Sequence, residues 1–366
     1  MTILDRYITR QFVVAALFGL FAFLMVFVVI DLMEKLDDFI DVNAPTHIVI
    51  EYYIAFIPEI VKLMTPVALL LAALFVMGRL SSQNELAAIK ASGVSLYRVL
   101  LPFLVVSLIV SCLSIYLNGW VVPRANQKKF YIERNVMHQG SDNTDRFNIF
   151  FQEGRTRIVS MSYFDIQNHV ATRVSIQDFL DTNLTYMERR WDAASMRWLP
   201  TPGEPGSGKW VLQSGSVHSF QEDREVVEPF TSMVIGRLTL TPADIEKKQR
   251  RPDEMEYGEL REFIENQERA GQDVSRWLVD YHAKLAFPFA SIIMVLFGVP
   301  FASSRPRTGA ALGIGICVAV TFIYLGFMKV SQVFGYNGDL NPLVTAWLAN
   351  IIFLVAAIVN LIRVQK

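Results

Sequence analysis

Apolar positions fall into six long stretches, three on each side of a central region in which short apolar runs alternate with polar residues. The stretches cover about Phe12 to Ile30, Tyr53 to Met77, Leu96 to Leu117, Lys284 to Phe301, Ala310 to Val330 and Leu343 to Ile362. Each is close to the roughly 20 residues that carry a helix across about 30 Å of hydrocarbon, where only helices and closed barrels satisfy their own backbone. The pattern predicts an α+β membrane protein: six transmembrane helices in a 3+3 arrangement with one large β-rich insert between the third and fourth. Arg6 and Arg10 precede the first stretch, but its apolar run is too long for a signal-peptide core and no A-x-A-like site follows. It is therefore expected to be a retained helix.

The insert opens with a polar continuation of the third helix, Trp120 to Asn135, and then changes period. From Asn148 onward come NIFFQEG, TRIVSMSYF, HVATRVSIQDF, KWVLQSGSVHSF and FTSMVIG, many alternating between apolar and polar residues. Such segments predict antiparallel strands with one packed and one wet face, in a sandwich, jelly roll or open barrel. Trp191, Trp198 and Trp210 read as packing residues there. After Pro252 the period returns to helical. Leu260, Phe263 and Ile264 share a face, Gly271 marks an end, and Asp273 is placed to cap a helix entering the fourth span. The expected divisions are 1–118, containing a short helix over 82–93, then 119–281, then 282–366.

Charge orients this layout. One set of helix ends carries Arg6, Arg10, Arg79, Lys90, Arg98, Arg305, Arg307, Arg363 and Lys366, while the opposite short loops hold only Lys35 and Lys329. The positive-inside rule puts the first set in the cytoplasm, both termini with it, and the insert outside. The net charge of −1 conceals this asymmetry, and the chain has no basic arm suited to nucleic acid. Cys112 and Cys317 both fall inside apolar stretches, so neither a disulfide framework nor a metal cluster follows from them.

Candidate chemistry is sparse. Gly203 to Lys209 satisfies G-x-x-x-x-G-K, but Trp210 stands where a phosphate-binding loop needs Ser or Thr. Nearby Pro200, Pro202 and Pro205 fit a turn between strands instead. The histidines lack ligand spacing and no hydrolase signature occurs, so the chain is not expected to be an enzyme on its own. Two other features stand out. In SSQNELAAIKASG, Ser82 and Glu85 have capping-box spacing, Leu86 and Ile89 form an apolar strip, and Gly93 is placed for a left-handed cap. This predicts a short, delimited helix that either closes a turn at the bilayer or, through Glu85, Leu86, Ile89, Lys90 and Gly93, docks a separate cytoplasmic motor. SSRPRTG, Ser303 to Gly309, lies on the same side as a second docking point. At the other face, Lys35, Lys62, Lys284 and Lys329 fall near the outer helix ends. Each alone reads as a snorkelling lysine, with Glu59 a local partner for Lys62; four at one level suggest a site for an anionic amphiphile. Pro58 and Pro66 in the second span are candidates for kinks that open a cavity.

The start ILDRYITRQF, the loop ELAAIKASGVSLYRV, the exit segment NGWVVPRANQ and the return GQDVSRW followed by KLAFPF together resemble the LptF/LptG permeases of lipopolysaccharide export, and LptG more than LptF. The resemblance implies a jelly-roll form for the insert, a bacterial inner-membrane location and a pairing of LptF with LptG. It also implies two copies of the ATPase LptB, which binds ATP and Mg, so that this chain needs no cofactor of its own. LptC and a periplasmic bridge would receive lipopolysaccharide extracted from the outer leaflet. Glu85 to Gly93 would be the helix seated in LptB, and spans one and five would line a lateral gate. The chain departs from the LptG pattern near the outer end of span one, where Asp31 stands with Lys35 a turn later. Without the resemblance, the same layout suits a permease for another anionic amphiphile or lipoprotein, or an envelope scaffold without a motor.

Overall fold

The computed structural model describes residues 3–137, 147–153, 156–165, 168–180, 183–200, 208–221, 224–235, 238, 240–242, 245, 251–269, 273–303 and 310–363. They form two compact units. The first gathers Met1–His138, Pro252–Glu265 and Asp273–Lys366; the second comprises Gln139–Arg251 with Asn266–Gln272. The helical flanks of the insert thus cluster with the membrane helices, and the β-rich part stands as its own unit.

The first unit is helical: α1 (Ile3–Asp41), α2 (Thr46–Ser82), α3 (Glu85–Ala91), α4 (Leu96–Tyr116), a π-helical turn (Leu117–Val121) and α5 (Val122–Asn135) precede the insert. After it come a 3-10 turn (Pro252–Glu254), α6 (Tyr257–Arg269), α7 (Ser275–Ala286), a 3-10 turn (Phe287–Phe289), α8 (Ala290–Ser303), α9 (Ala310–Tyr336) and α10 (Pro342–Arg363). Among the described residues six helices are long and apolar enough to cross a membrane, with α4 to α5 and α7 to α8 each running as one continuous helix.

Several helices outrun the apolar stretches that predict them. With 39 residues, α1 is about 58 Å long at 1.5 Å per residue, close to twice the hydrocarbon thickness. Its last turns, carrying Asp31, Glu34, Lys35, Asp37, Asp38 and Asp41, therefore extend beyond the lipid. The centre of the unit is α2, which runs through Pro58 and Pro66 as one helix and is buried almost continuously from Met64 to Met77. Ala68, Ala72 and Ala73 on its buried face let α8 and α1 approach closely, the usual solution where lipid offers no hydrophobic drive between helices. In contrast, only 6% of the most apolar window of α1 is buried.

The second unit is one antiparallel sheet of six strands in sequence order: β1 (Phe147–Glu153), β2 (Arg157–Asp165), β3 (Val170–Leu180), β4 (Asn183–Pro200), β5 (Gly208–Gln221) and β6 (Arg224–Ile235). Alternation along β2 and β3 places Val159, Met161, Val174 and Ile176 on the packed face, where they join Met196, Trp210 and Leu212. Trp210 is fully buried, sits edge-on to Trp198 with centroids 5.0 Å apart, and donates its indole N–H to the Leu240 carbonyl at 2.6 Å. Trp191 and Trp198 are partly buried against the same cluster, so all three tryptophans pack. Positions 203–207 of the G-x-x-x-x-G-K stretch lie outside the described residues; Gly208 and Lys209 begin β5.

Candidate functional site

The short helix α3 occupies the place the sequence predicts, but its ends are built differently. The Ser82–Glu85 capping box does not form. Ser82 is the last residue of α2 and turns its hydroxyl back to the Arg79 carbonyl at 3.0 Å, and Asn84, at φ +60°, makes the reversal into α3. Glu85 is in the first turn, where a carboxylate favours the helix dipole. At the other end Gly93 has φ +86°, with Gly93 N–H donating to the Lys90 carbonyl at 3.0 Å and Val94 N–H to the Ile89 carbonyl at 3.3 Å. This is the paired-bond C-terminal stop that glycine permits without strain.

Leu86 is 4% exposed and Ile89 packs beside it against the membrane-unit core, which fixes the inner face of α3. Ala87, Ala88, Ala91 and Ser92 present a smooth outer face, with Lys90 half-buried in the last turn. Glu85 accepts the Tyr7 hydroxyl at 3.0 Å. A turn into α4, Arg98 donates to the buried Asp5 carboxylate at 2.8 Å. Positions 304–309 of the second expected docking loop lie outside the described residues.

The four outer lysines do not form one set. Lys35 is bound within an aromatic and acidic cluster of α1, α2 and α5. Its Nζ lies 2.5 Å from Glu133, contacts the Tyr52 hydroxyl and stands 4.7 Å above the Tyr52 ring, with Asp31 3.9 Å away. Tyr52 also donates to Glu133 at 3.0 Å. The remaining three gather around the Pro252–Met255 segment. Lys62 lies 3.4 Å from Asp253, buried Lys284 donates to the Met255 carbonyl at 2.6 Å, and exposed Lys329 adds its field. Burial pushes the Asp253 carboxyl up, but the charges of Lys62 and Lys284, the hydrogen bond from Lys62 and the charge of Lys329 together outweigh it and hold it below the usual carboxylate range.

The segment is also held by groups that sequence inspection missed. Arg134 pairs with the buried Glu254, Gln127 donates to the Glu254 carbonyl at 2.7 Å, and Arg124 bonds Glu256 at 2.7 Å. Lys129, buried on α5, pairs with Glu59 at 2.6 Å, taking the partner that proximity in sequence assigns to Lys62. These residues look like an ordinary solvated helix in the sequence because their partners lie far along the chain, on the return segment at Glu254 and Glu256 and on the second span at Glu59.

A further feature at this level is the π-helical turn. An ideal Cβ on Gly119 would stand 2.3 Å from the Tyr257 ring, which packs edge-on to Trp120 at 5.6 Å. The Tyr257 hydroxyl reaches the carbonyls of Ile115 at 3.4 Å and Lys284 at 3.3 Å, joining the third span to the fourth. Burial, then the neighbouring Tyr281, push the Tyr257 phenol up to about 12, so it stays a neutral donor at physiological pH.

A central buried helix, six spanning-capable helices and a β-sheet unit inserted after the third define a multi-pass membrane protein with the build of a transport permease subunit. The pattern of its residues is more specific. Over residues 6–363 it matches the lipopolysaccharide export system permease LptF/LptG family, to which the chain belongs. LptG of Escherichia coli strain K12 is 20% identical over 91% of this chain and 89% of its own length. The Haemophilus influenzae LptG is 22% identical over 94% of this chain and 95% of its own. LptF of E. coli K12 is 22% identical over 98% and 94%. The likeness to the two kinds of permease is nearly equal, which assigns the chain to the joint family.

Proposed function

We propose that this chain is a permease subunit of a lipopolysaccharide exporter in the bacterial inner membrane, with both termini cytoplasmic and the β-sheet unit periplasmic. The observation that carries the reading is the family match across nearly the whole chain, spanning the α3 loop and every membrane helix. The distribution of Lys and Arg supports the orientation.

In this reading α3 docks a cytoplasmic ATPase of the LptB type, two copies of which serve this chain and a second LptF- or LptG-type permease. A stiff helix held by buried Leu86 and stopped at Gly93 suits the transmission of force, and the small residues on its outer face leave room for a groove to close on it. Glu85, Leu86, Ile89, Lys90 and Gly93 then form the docking element. At the outer face Lys62 and Lys329, with Lys284 behind them, face the phosphates of the amphiphile, and Lys35 instead braces α1 against α5. ATP closure of the motor narrows the cavity between the permeases and disfavours the bound lipid, which moves to the β-sheet unit and on to LptC and the bridge. The protein supplies differential binding between two states and no covalent step.

The test is purification of the tagged chain from native membranes in mild detergent, with mass spectrometry of what accompanies it. Recovery of an ATPase subunit, a second six-span permease and lipopolysaccharide supports the reading. Recovery of the chain with bulk phospholipid alone, under conditions that preserve such complexes, refutes it.

A further inference from the structure

The first turns of α1 and the α3 loop are joined by contacts that the docking role of α3 does not by itself require. Tyr7 points its hydroxyl at both carboxylate oxygens of Glu85, at 3.0 and 3.3 Å. Two residues earlier, Asp5 is only 6% exposed and takes the Arg98 guanidinium at 2.8 Å. These bonds flank α3 on both sides, one at its first residue and one just past the loop that follows it. Beneath them, Ile8 and Phe12 on α1 are fully buried in the cluster that holds Leu86, Leu96, Val99 and Phe103, with the Phe12 and Phe103 rings 4.8 Å apart. Farther along, α1 changes character: Leu17, Phe18 and Phe21 are 62%, 74% and 62% exposed. One end of α1 is anchored to the loop, and its middle, packed on α2 through Gly19, turns Leu17, Phe18 and Phe21 outward.

We infer that Tyr7 is a positioning residue which, with the Asp5–Arg98 pair, makes α1 move as one body with α3 and holds the Glu85 carboxylate in a fixed orientation toward a basic group on the docked motor. This rests on the docking reading above. A hydroxyl donating to a carboxylate leaves most of its acceptor positions open, so Tyr7 orients Glu85 without occupying it. Displacement of α3 then reaches the least buried span directly, without first repacking α2.

Tyr7→Phe keeps the ring and removes only the donor. In the complex of this chain with its second permease and ATPase, reconstituted in vesicles containing lipopolysaccharide, it is expected to retain the ATPase subunit. The amount of lipid moved per ATP falls roughly five-fold, as expected for loss of one partly exposed hydrogen bond to a charged group. In a Glu85→Ala background the same substitution changes nothing further, because Tyr7 acts through Glu85. Exchanging the charges, Asp5→Arg with Arg98→Asp, restores coupling lost in either single variant. Normal transport per ATP in Tyr7→Phe, or an equal loss in both backgrounds, overturns the inference while leaving docking intact. Undiminished ATPase retention in Glu85→Ala overturns the docking reading itself, and with it this one.

Discussion

Replacing Gly119 with alanine tests how the third span is joined to the return segment. A glycine inside a helix normally gains stability on becoming alanine, by up to about 1 kcal/mol. Here the new methyl would stand 2.3 and 2.4 Å from two Tyr257 ring carbons. The ring must move, losing its edge contact with Trp120 at 5.6 Å and its reach to the Ile115 and Lys284 carbonyls. Overpacking of this kind costs about 1–3 kcal/mol and the aromatic pair about 0.5–1.5 kcal/mol, so after the propensity gain the net destabilisation is about 2 kcal/mol. Chemical denaturation of the detergent-purified chain, in parallel with Tyr257→Ala and the double variant, isolates the interaction. In the Tyr257→Ala background the obstructing atoms are gone and Gly119→Ala is expected to change sign, stabilising by up to about 1 kcal/mol. The same sign and size in both backgrounds would refute the account.

Glu85→Ala is expected to weaken ATPase association with the fold intact, read by the amount of ATPase retained on tagged protein; unchanged retention removes the docking role. Gly93→Val forces a β-branched side chain to φ +86° and is expected to cost at least about 1 kcal/mol locally and to reduce the same retention; equal retention with unchanged melting would show that the stop at Gly93 is dispensable. Lys62→Gln with Lys329→Gln is expected to lower lipopolysaccharide-stimulated ATP hydrolysis, whereas Lys35→Gln acts through loss of the Glu133 pair, costing about 3 kcal/mol of stability because both side chains are mostly buried. Stimulation unaffected by the double variant returns those lysines to a snorkelling role. Because the Asp253 carboxyl is held below its ordinary value of 3.8, its contribution is complete at neutral pH and is lost progressively as pH falls from 3.8 through that lowered value. Asp253→Asn should therefore erase a small stability difference between pH 7 and pH 3; an undiminished difference assigns it to other carboxylates.

The apolar stretches made the six helices legible, and alternation revealed five of the six strands, because both signals are periodic and local. The long β4 escaped: in MERRWDAASMRW charged residues interrupt the apolar ones, and the residues that pack, Trp191, Ala193, Met196 and Trp198, do not keep one two-residue period, so its alternation is faint. Gly93 was readable because a left-handed stop has a residue signature. The capping spacing at Ser82 does not reveal that α2 continues through that residue. The lysine level was visible, but its division was not: Lys35 meets Glu133 across 98 positions and Lys62 meets Asp253 across 191. No local pattern encodes such pairs.

The interruption of the helical unit by the β-sheet unit has a consequence for how the protein is made. The buried face of α2 is completed by α8, which the ribosome finishes only after the whole insert has been synthesised, a delay of roughly ten to forty seconds at ordinary elongation rates. Throughout that interval the Ala- and Leu-lined strip from Met64 to Met77 lacks its native neighbour. Lipid or the insertion machinery must occupy it meanwhile, and a chain truncated within the insert leaves a helix trio with no second half. The two halves of the helical unit are therefore joined only when the fourth span has been made.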